Sequence, residues 1–131
     1  MAPSLYVVFY RPRYGNYKHW ALQLESDTLS IIFEVVGQHP HFQRNVVNAE
    51  PERSGSFTGK LFVGTISDSD IQRVKDTAKS VPVDNETVEW DCQDYVLEML
   101  DQLQEDYVLD EEDEDYQEAR KELRSKRGAI I

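Results

Sequence analysis

The 131-residue chain predicts an α+β fold, an antiparallel β-sheet of about four or five strands packed with two or three helices. Three observations predict it. Runs rich in β-branched and aromatic residues recur at 5–10, 19–25, 29–36 and 61–66, with turn-forming residues between them. Two stripes at helical spacing follow these runs: Ile71, Val74, Ala78 and Val81, then Tyr95, Val96, Met99, Leu100 and Leu103. A hydrophobic content of 40% with 11% aromatic residues supports a folded core, in a length typical of one domain.

Leu5 to Tyr10 reads as the first strand, broken by Pro12 and Gly15. Along the second, Trp20, Leu22 and Leu24 face one way and His19, Ala21 and Gln23 the other. A turn centred on Ser26-Asp27 leads into the third strand, which ends at Gly37. With Glu25 opposite Thr28, this hairpin puts His19 opposite Glu34, with Cβ atoms about 5 Å apart. A one-residue slip would turn Glu34 to the other face. Glu34 stands alone among apolar residues, where it is either paired or on a solvated face. Residues 38–60 read as a long loop with one short strand around Val46-Val47. His39 and His41 read as exposed loop histidines, and no metal-ligand spacing is present.

Ser67-Asp68 starts the first helix and Pro82 ends it. Asp91 is the expected N-cap of the next, with Asp94 completing a capping box, and that helix runs to about Gln104. The tail carries six consecutive acids at 110–115, then Arg120, Lys121, Arg124, Lys126 and Arg127. Its apolar residues are sparse, so it reads as a solvated, loosely attached helix. The organisation expected is a domain over 1–108 and a charged C-terminal helix or tail over 109–131.

Composition narrows the function. A formal net charge of −11 argues against nucleic acid and against an anionic membrane surface as partners. No apolar run approaches the roughly 20 residues that span a bilayer, and the N-terminus lacks a signal-peptide pattern. A single cysteine excludes an internal disulfide and fits a cytoplasmic protein.

That cysteine, Cys92, falls in the first turn of a helix. Unpaired backbone N–H groups and the helix dipole there favour a thiolate, the form that acts as a nucleophile. A buried, inert cysteine is the competing reading. If Cys92 faces His19, the three residues form a Cys92–His19–Glu34 triad. His19 then moves the thiol proton, and Glu34 orients the imidazole and stabilises its charged form. The Cys92 backbone N–H supplies part of an oxyanion hole.

Tyr17-Lys18-His19-Trp20-Ala21-Leu22 resembles the His-Trp-Ala-Ile/Leu segment of the lecithin:retinol acyltransferase-like (LRAT-like) proteins, a circularly permuted branch of the NlpC/P60 papain-like superfamily. Asp91-Cys92-Gln93-Asp94-Tyr95-Val96 is similar to their Asn-Cys-Glu-His-Phe-Val motif at Cys92, Tyr95 and Val96. Glu34 stands where the family places its third polar residue, usually a histidine. The resemblance spans roughly residues 5–105 in layout. It implies a permuted papain-like fold and a cysteine hydrolase or acyltransferase. Such an enzyme acts on an acyl, amide or peptide substrate through an acyl-enzyme on Cys92, with no cofactor and no stable membrane anchor. Asp91, Gln93-Asp94 and Glu34 depart from the family pattern and direct the reading away from lipids. Permuted isopeptidases of ubiquitin-like modifiers share the His-then-Cys order and stay open as an alternative. So does a binding module on the same fold that makes no use of the thiol. Trp20, Trp90, Tyr14 and Tyr17 are candidates either for the cleft or for the core, with Trp20 assigned to the core.

Overall fold

The computed structural model describes residues 2–13 and 15–128. Tyr14, one of the cleft candidates, lies outside the described residues. Five strands are present: β1 (Ser4–Tyr10), β2 (His19–Glu25), β3 (Ser30–Val36), β4 (Gln43–Asn48) and β5 (Phe57–Thr65). Three α-helices follow: α1 (Ile71–Ser80), α2 (Cys92–Glu105) and α3 (Glu114–Lys126). The strands form one sheet in the order β4-β3-β2-β1-β5, antiparallel at each junction. The α+β class with an antiparallel sheet is therefore as the sequence predicts.

Alternation along the strands divides the sheet into a helix-covered face and an open face. Leu5, Val7 and Phe9 of β1 join Trp20, Leu22 and Leu24 of β2 and Ile31, Phe33 and Val35 of β3 in the main core. Helix residues Val74, Ala78, Cys92, Val96, Met99, Leu100, Leu103, Ala119 and Leu123 close it from above. Trp20 and Trp90 are both core residues. On the opposite face Val8, Tyr10, Ala21 and Ile32 make a second, smaller apolar cluster. The side chain of Tyr95 ties α2 to α1 by donating to the Ala78 carbonyl at 2.5 Å. Arg44 caps the far end of α1, donating to the Ala78 and Val81 carbonyls at 3.1 and 2.6 Å, where a cation complements the helix dipole.

Three details differ from the sequence-based expectation. The β2–β3 turn is displaced: Glu25 pairs with Ser30, not with Thr28, a shift of two residues along β3. The reason is Ser26, which begins the turn instead of sitting at its centre. Its backbone N–H donates to Leu29 O, and its hydroxyl accepts from the N–H groups of Thr28 and Leu29. Such a serine turn fixes Asp27-Thr28 as the central pair. The short strand expected around Val46-Val47 is β4, which extends beyond that pair, and residues 38–60 also hold the start of β5. β4 is an edge strand with mostly exposed side chains, so apolar alternation gives little sign of it.

The third difference is α3. It is not loosely attached, because Tyr116, Ala119 and Leu123 are buried in the main core. These three buried residues at helical spacing seat it against β5, with Asp113 capping its start through the Tyr116 N–H at 3.0 Å. Leu123→Ala therefore loses roughly 2–5 kcal/mol of stability, as buried leucines do, in a urea titration. A peripheral tail would lose less than about 0.5 kcal/mol.

Candidate active site

The site begins where the sheet splits. The ladder between β2 and β3 runs from Glu25–Ser30 to Leu22–Phe33 and stops there. Beyond it, residues 19–21 of β2 pair only with β1, and residues 34–36 of β3 pair only with β4. Side chains bridge the gap that the backbones leave open. His19 donates from Nε2 to Glu34 Oε1 at 2.5 Å, and both residues are buried. The other carboxylate oxygen accepts from Asn45 Nδ2 at 2.8 Å. Asn45 stands directly across from Glu34 in the β3–β4 ladder. Arg13, from the β1–β2 loop, brings its guanidinium to 3.7 Å from Oε1.

Glu34 is thus the centre of a buried polar network, not a residue on a solvated face. Burial alone would raise its pKa, but the hydrogen bonds from His19 and Asn45, with the charge of Arg13, outweigh burial and hold the carboxyl below its ordinary value. A carboxylate accepting at Nε2–H fixes the tautomer and leaves Nδ1 of His19 as the nitrogen able to take a proton. The ring of His19 also leans on Tyr10, with centroids 5.5 Å apart, and so lies on the open face of the sheet with the smaller cluster.

Cys92 approaches from the other side. Asp91 caps α2 by accepting from the Gln93 N–H at 2.8 Å, and Asp94 accepts from the Asp91 N–H at 2.9 Å, which completes the expected capping box. This places Cys92 as the first residue of α2, on the helix-covered face. Cys92 and His19 nevertheless meet at the split. Together with Arg13, Tyr17, Gly37 and Phe42 they line one pocket of about 10 Å³, room for no more than a single water molecule. Gly37 is required in this wall: its φ is +94°, and a Cβ there would come within 2.9 Å of the His41 carbonyl oxygen. Phe42 is fixed by Asn85, whose side chain accepts from its N–H at 2.7 Å and donates to its carbonyl at 3.1 Å.

The thiol itself is not activated in this conformation. Cys92 is 3% exposed, and its S–H points at the Lys18 carbonyl oxygen, 4.0 Å away. Among the described residues no hydrogen bond joins it to His19. Burial pushes its pKa up to about 12, a shift that a backbone contact from Trp20 and the charges of Arg127 and Arg13 only partly oppose. The expectation of a lowered thiol pKa is therefore overturned by desolvation, which exceeds the contribution of the helix terminus. His39 and His41 do not join the site, and among the described residues no group of His, Cys, Asp and Glu side chains is placed to hold a metal ion.

Sequence reasoning missed Asn45, Arg13 and Gln93. Asn45 was hidden because β4, apart from Val46-Val47, carries no apolar pattern that fixes its register. Arg13 lies in a loop, where position cannot be read from periodicity. Gln93 is fully buried and donates from Nε2 to the Lys18 carbonyl at 3.0 Å; its place beside the N-cap was the available signal.

The fold and site define an α+β domain whose split antiparallel sheet holds a histidine–carboxylate pair beside a cysteine that opens a helix. The chain belongs to DUF6540, a family of unknown function whose model matches residues 5–110, from β1 to just beyond α2. No curated protein and no solved structure matches it. Among the described residues no helix is long and apolar enough to cross a membrane.

The lowered Glu34 pKa has a consequence for stability. A carboxylate depressed in the folded state adds stability that is complete above its unfolded pKa and is lost as pH falls through the folded value. Glu34→Gln should therefore flatten the acid limb of the stability–pH curve below about pH 4.5, measured as denaturation midpoints. Glu34→Ala, which strands the buried His19 and the half-buried Asn45, should lose roughly 3–5 kcal/mol at neutral pH.

Proposed function

We propose that this protein is a cysteine-dependent hydrolase or acyl transferase of the permuted papain-like kind, acting on an amide, ester or thioester through an acyl-enzyme on Cys92. One observation carries the reading: the only thiol of the chain and a histidine already bonded to a buried carboxylate line the same pocket. A His–Glu pair in the interior is costly to assemble, and proton transfer is a use that matches its geometry.

The steps follow from the groups present. Nδ1 of His19 takes the Cys92 proton, and Glu34 stabilises the resulting imidazolium. The thiolate sulfur attacks the carbonyl carbon. In this reading the Cys92 N–H, the first amide of α2, stabilises the oxyanion with help from the helix terminus. On collapse, the leaving group takes the proton from His19 and a thioester remains on Cys92. Water, or an acceptor amine or alcohol in the transferase case, then gives its proton to His19 as it attacks the thioester carbon; the C–S bond breaks, and His19 returns the proton to the Cys92 sulfur. These steps need an open form. The present pocket cannot hold a substrate, and His19 must come into contact with the sulfur.

A second reading is favoured by the burial of the thiol: a binding module on the same fold in which Cys92 is a core residue. Trapping separates the two. On incubation with a panel of activated acyl esters and short peptide thioesters, intact-mass spectrometry should show a single acyl adduct that is absent in Cys92→Ala. In His19→Ala the adduct should form roughly 10²–10⁴-fold more slowly. Equal rates in the wild type and in His19→Ala would remove the enzyme reading.

A further inference from the structure

The end of α3 returns to the start of α2. Arg127, the residue that follows α3, donates from Nη1 to Gln93 Oε1 at 2.7 Å and from Nη2 to Asp94 Oδ2 at 2.9 Å. Its Nη1 also stands 3.6 Å from Asp91 Oδ2. The Gly128 N–H adds a second donor to Gln93 Oε1 at 2.9 Å. At its other end the same buried amide donates to the Lys18 carbonyl. One side chain, Gln93, therefore joins the C-terminal segment, the first turn of α2 and the residue that precedes β2.

Lys18 is a sensitive place to hold. Its neighbours Tyr17 and His19 both line the Cys92 pocket, and the Cys92 thiol points at its carbonyl. The segment that controls Gln93 is held differently from the core. Beyond buried Leu123, residues Arg124, Ser125 and Lys126 are exposed, so Arg127 and Gly128 are attached mainly through charged and polar groups that water can replace. They also lie outside the stretch that the family match covers, whereas the residues lining the pocket lie inside it.

We propose that Arg127-Gly128 is an intramolecular latch: docked, it holds Gln93 against Lys18 and keeps the Cys92 pocket closed; released, it lets the β1–β2 loop move and opens the pocket to substrate. Its purpose rests on the cysteine-enzyme reading above, but its mechanics do not. Two carboxylates and an amide oxygen receive one guanidinium, and an arginine fork is the group that meets all three at once.

The test is the rate at which iodoacetamide alkylates Cys92 in the full-length chain, at one pH near the ordinary thiol range. Electrostatics and access oppose each other, which makes the sign informative. The charge of Arg127 at present favours the thiolate, so its removal alone would slow alkylation. A faster reaction can come only from opening. Arg127→Ala should label at least about tenfold faster than wild type, with Arg127→Lys between the two because it keeps the charge and loses the fork. Val74→Ala, a core substitution on α1, controls for general destabilisation. An unchanged or slower rate in Arg127→Ala, with its circular dichroism intact, overturns the latch. So does an equal acceleration in Val74→Ala. Acceleration confined to the Arg127 variants establishes it. If Arg127→Ala then labels rapidly yet forms no acyl adduct, the enzyme reading fails while the latch stands.

Discussion

Glu34 is the charge that the split sheet is built around. A carboxylate taken out of water survives only with donors on its oxygens, and here the donors come from three different parts of the chain. Asn45 reaches it along β4, His19 across the gap from β2, and Arg13 from the loop between β1 and β2. Each strand could have continued its ladder through residues 19–21 and 34–36, but it does not. The side-chain bridge replaces the missing backbone pairing and holds the gap at a fixed width. The opening where Cys92 and His19 meet is therefore a consequence of how one buried charge is satisfied. A satisfied network of this kind also specifies a single arrangement, since any other leaves a donor or acceptor stranded.

Cys92 shows two physical effects in direct competition. Its place as the first residue of α2 supplies unpaired amides and a favourable dipole, both of which lower a thiol pKa. Its burial raises that pKa, and burial prevails. The dipole contribution is worth about 0.3–1 kcal/mol at a typical helix end, whereas desolvating an ionised group costs several. A sequence can reveal the first effect and not the second, because burial depends on what packs over the helix start. Here Tyr17 and Phe42 line the pocket with Cys92.

Parity explains much of what was legible in the chain. The hairpin register inferred from Ser26-Asp27 is off by two residues, and an even shift keeps every side chain on its own face. His19 and Glu34 consequently remain together, as diagonal neighbours instead of direct ones, and long side chains span that distance. An odd shift would have separated them. The helices were legible because their stripes and caps are local; Asp91 and Asp94 form the box that their spacing predicts. The extent of β4 beyond Val46-Val47 and the place of Arg13 were not, because an exposed edge strand and a loop leave no periodic trace. The seating of α3 was obscured by composition. Its acids and bases dominate the sequence, while three buried residues decide its position. Gln93 and Arg127 were the least legible of all, since their link joins the first turn of α2 to the residue after α3 through a tertiary contact.

The chain carries a net charge of −11, yet each of three carboxylates around the pocket has a cation beside it. Glu34 has Arg13, and Asp91 and Asp94 share Arg127. Both cations come from segments outside the regular elements of the sheet, one from the β1–β2 loop and one from the residues after α3. Moving either segment away would admit water to the thiol and ease its ionisation, but would leave a partly buried carboxylate without its partner. The two costs are coupled, and the closed arrangement satisfies both at once. On the latch proposed above, an external reagent meets Cys92 only in the minor open population, and its rate is scaled down by that fraction. The equilibrium of the surrounding segments, more than the intrinsic nucleophilicity of the sulfur, then sets how reactive this cysteine is.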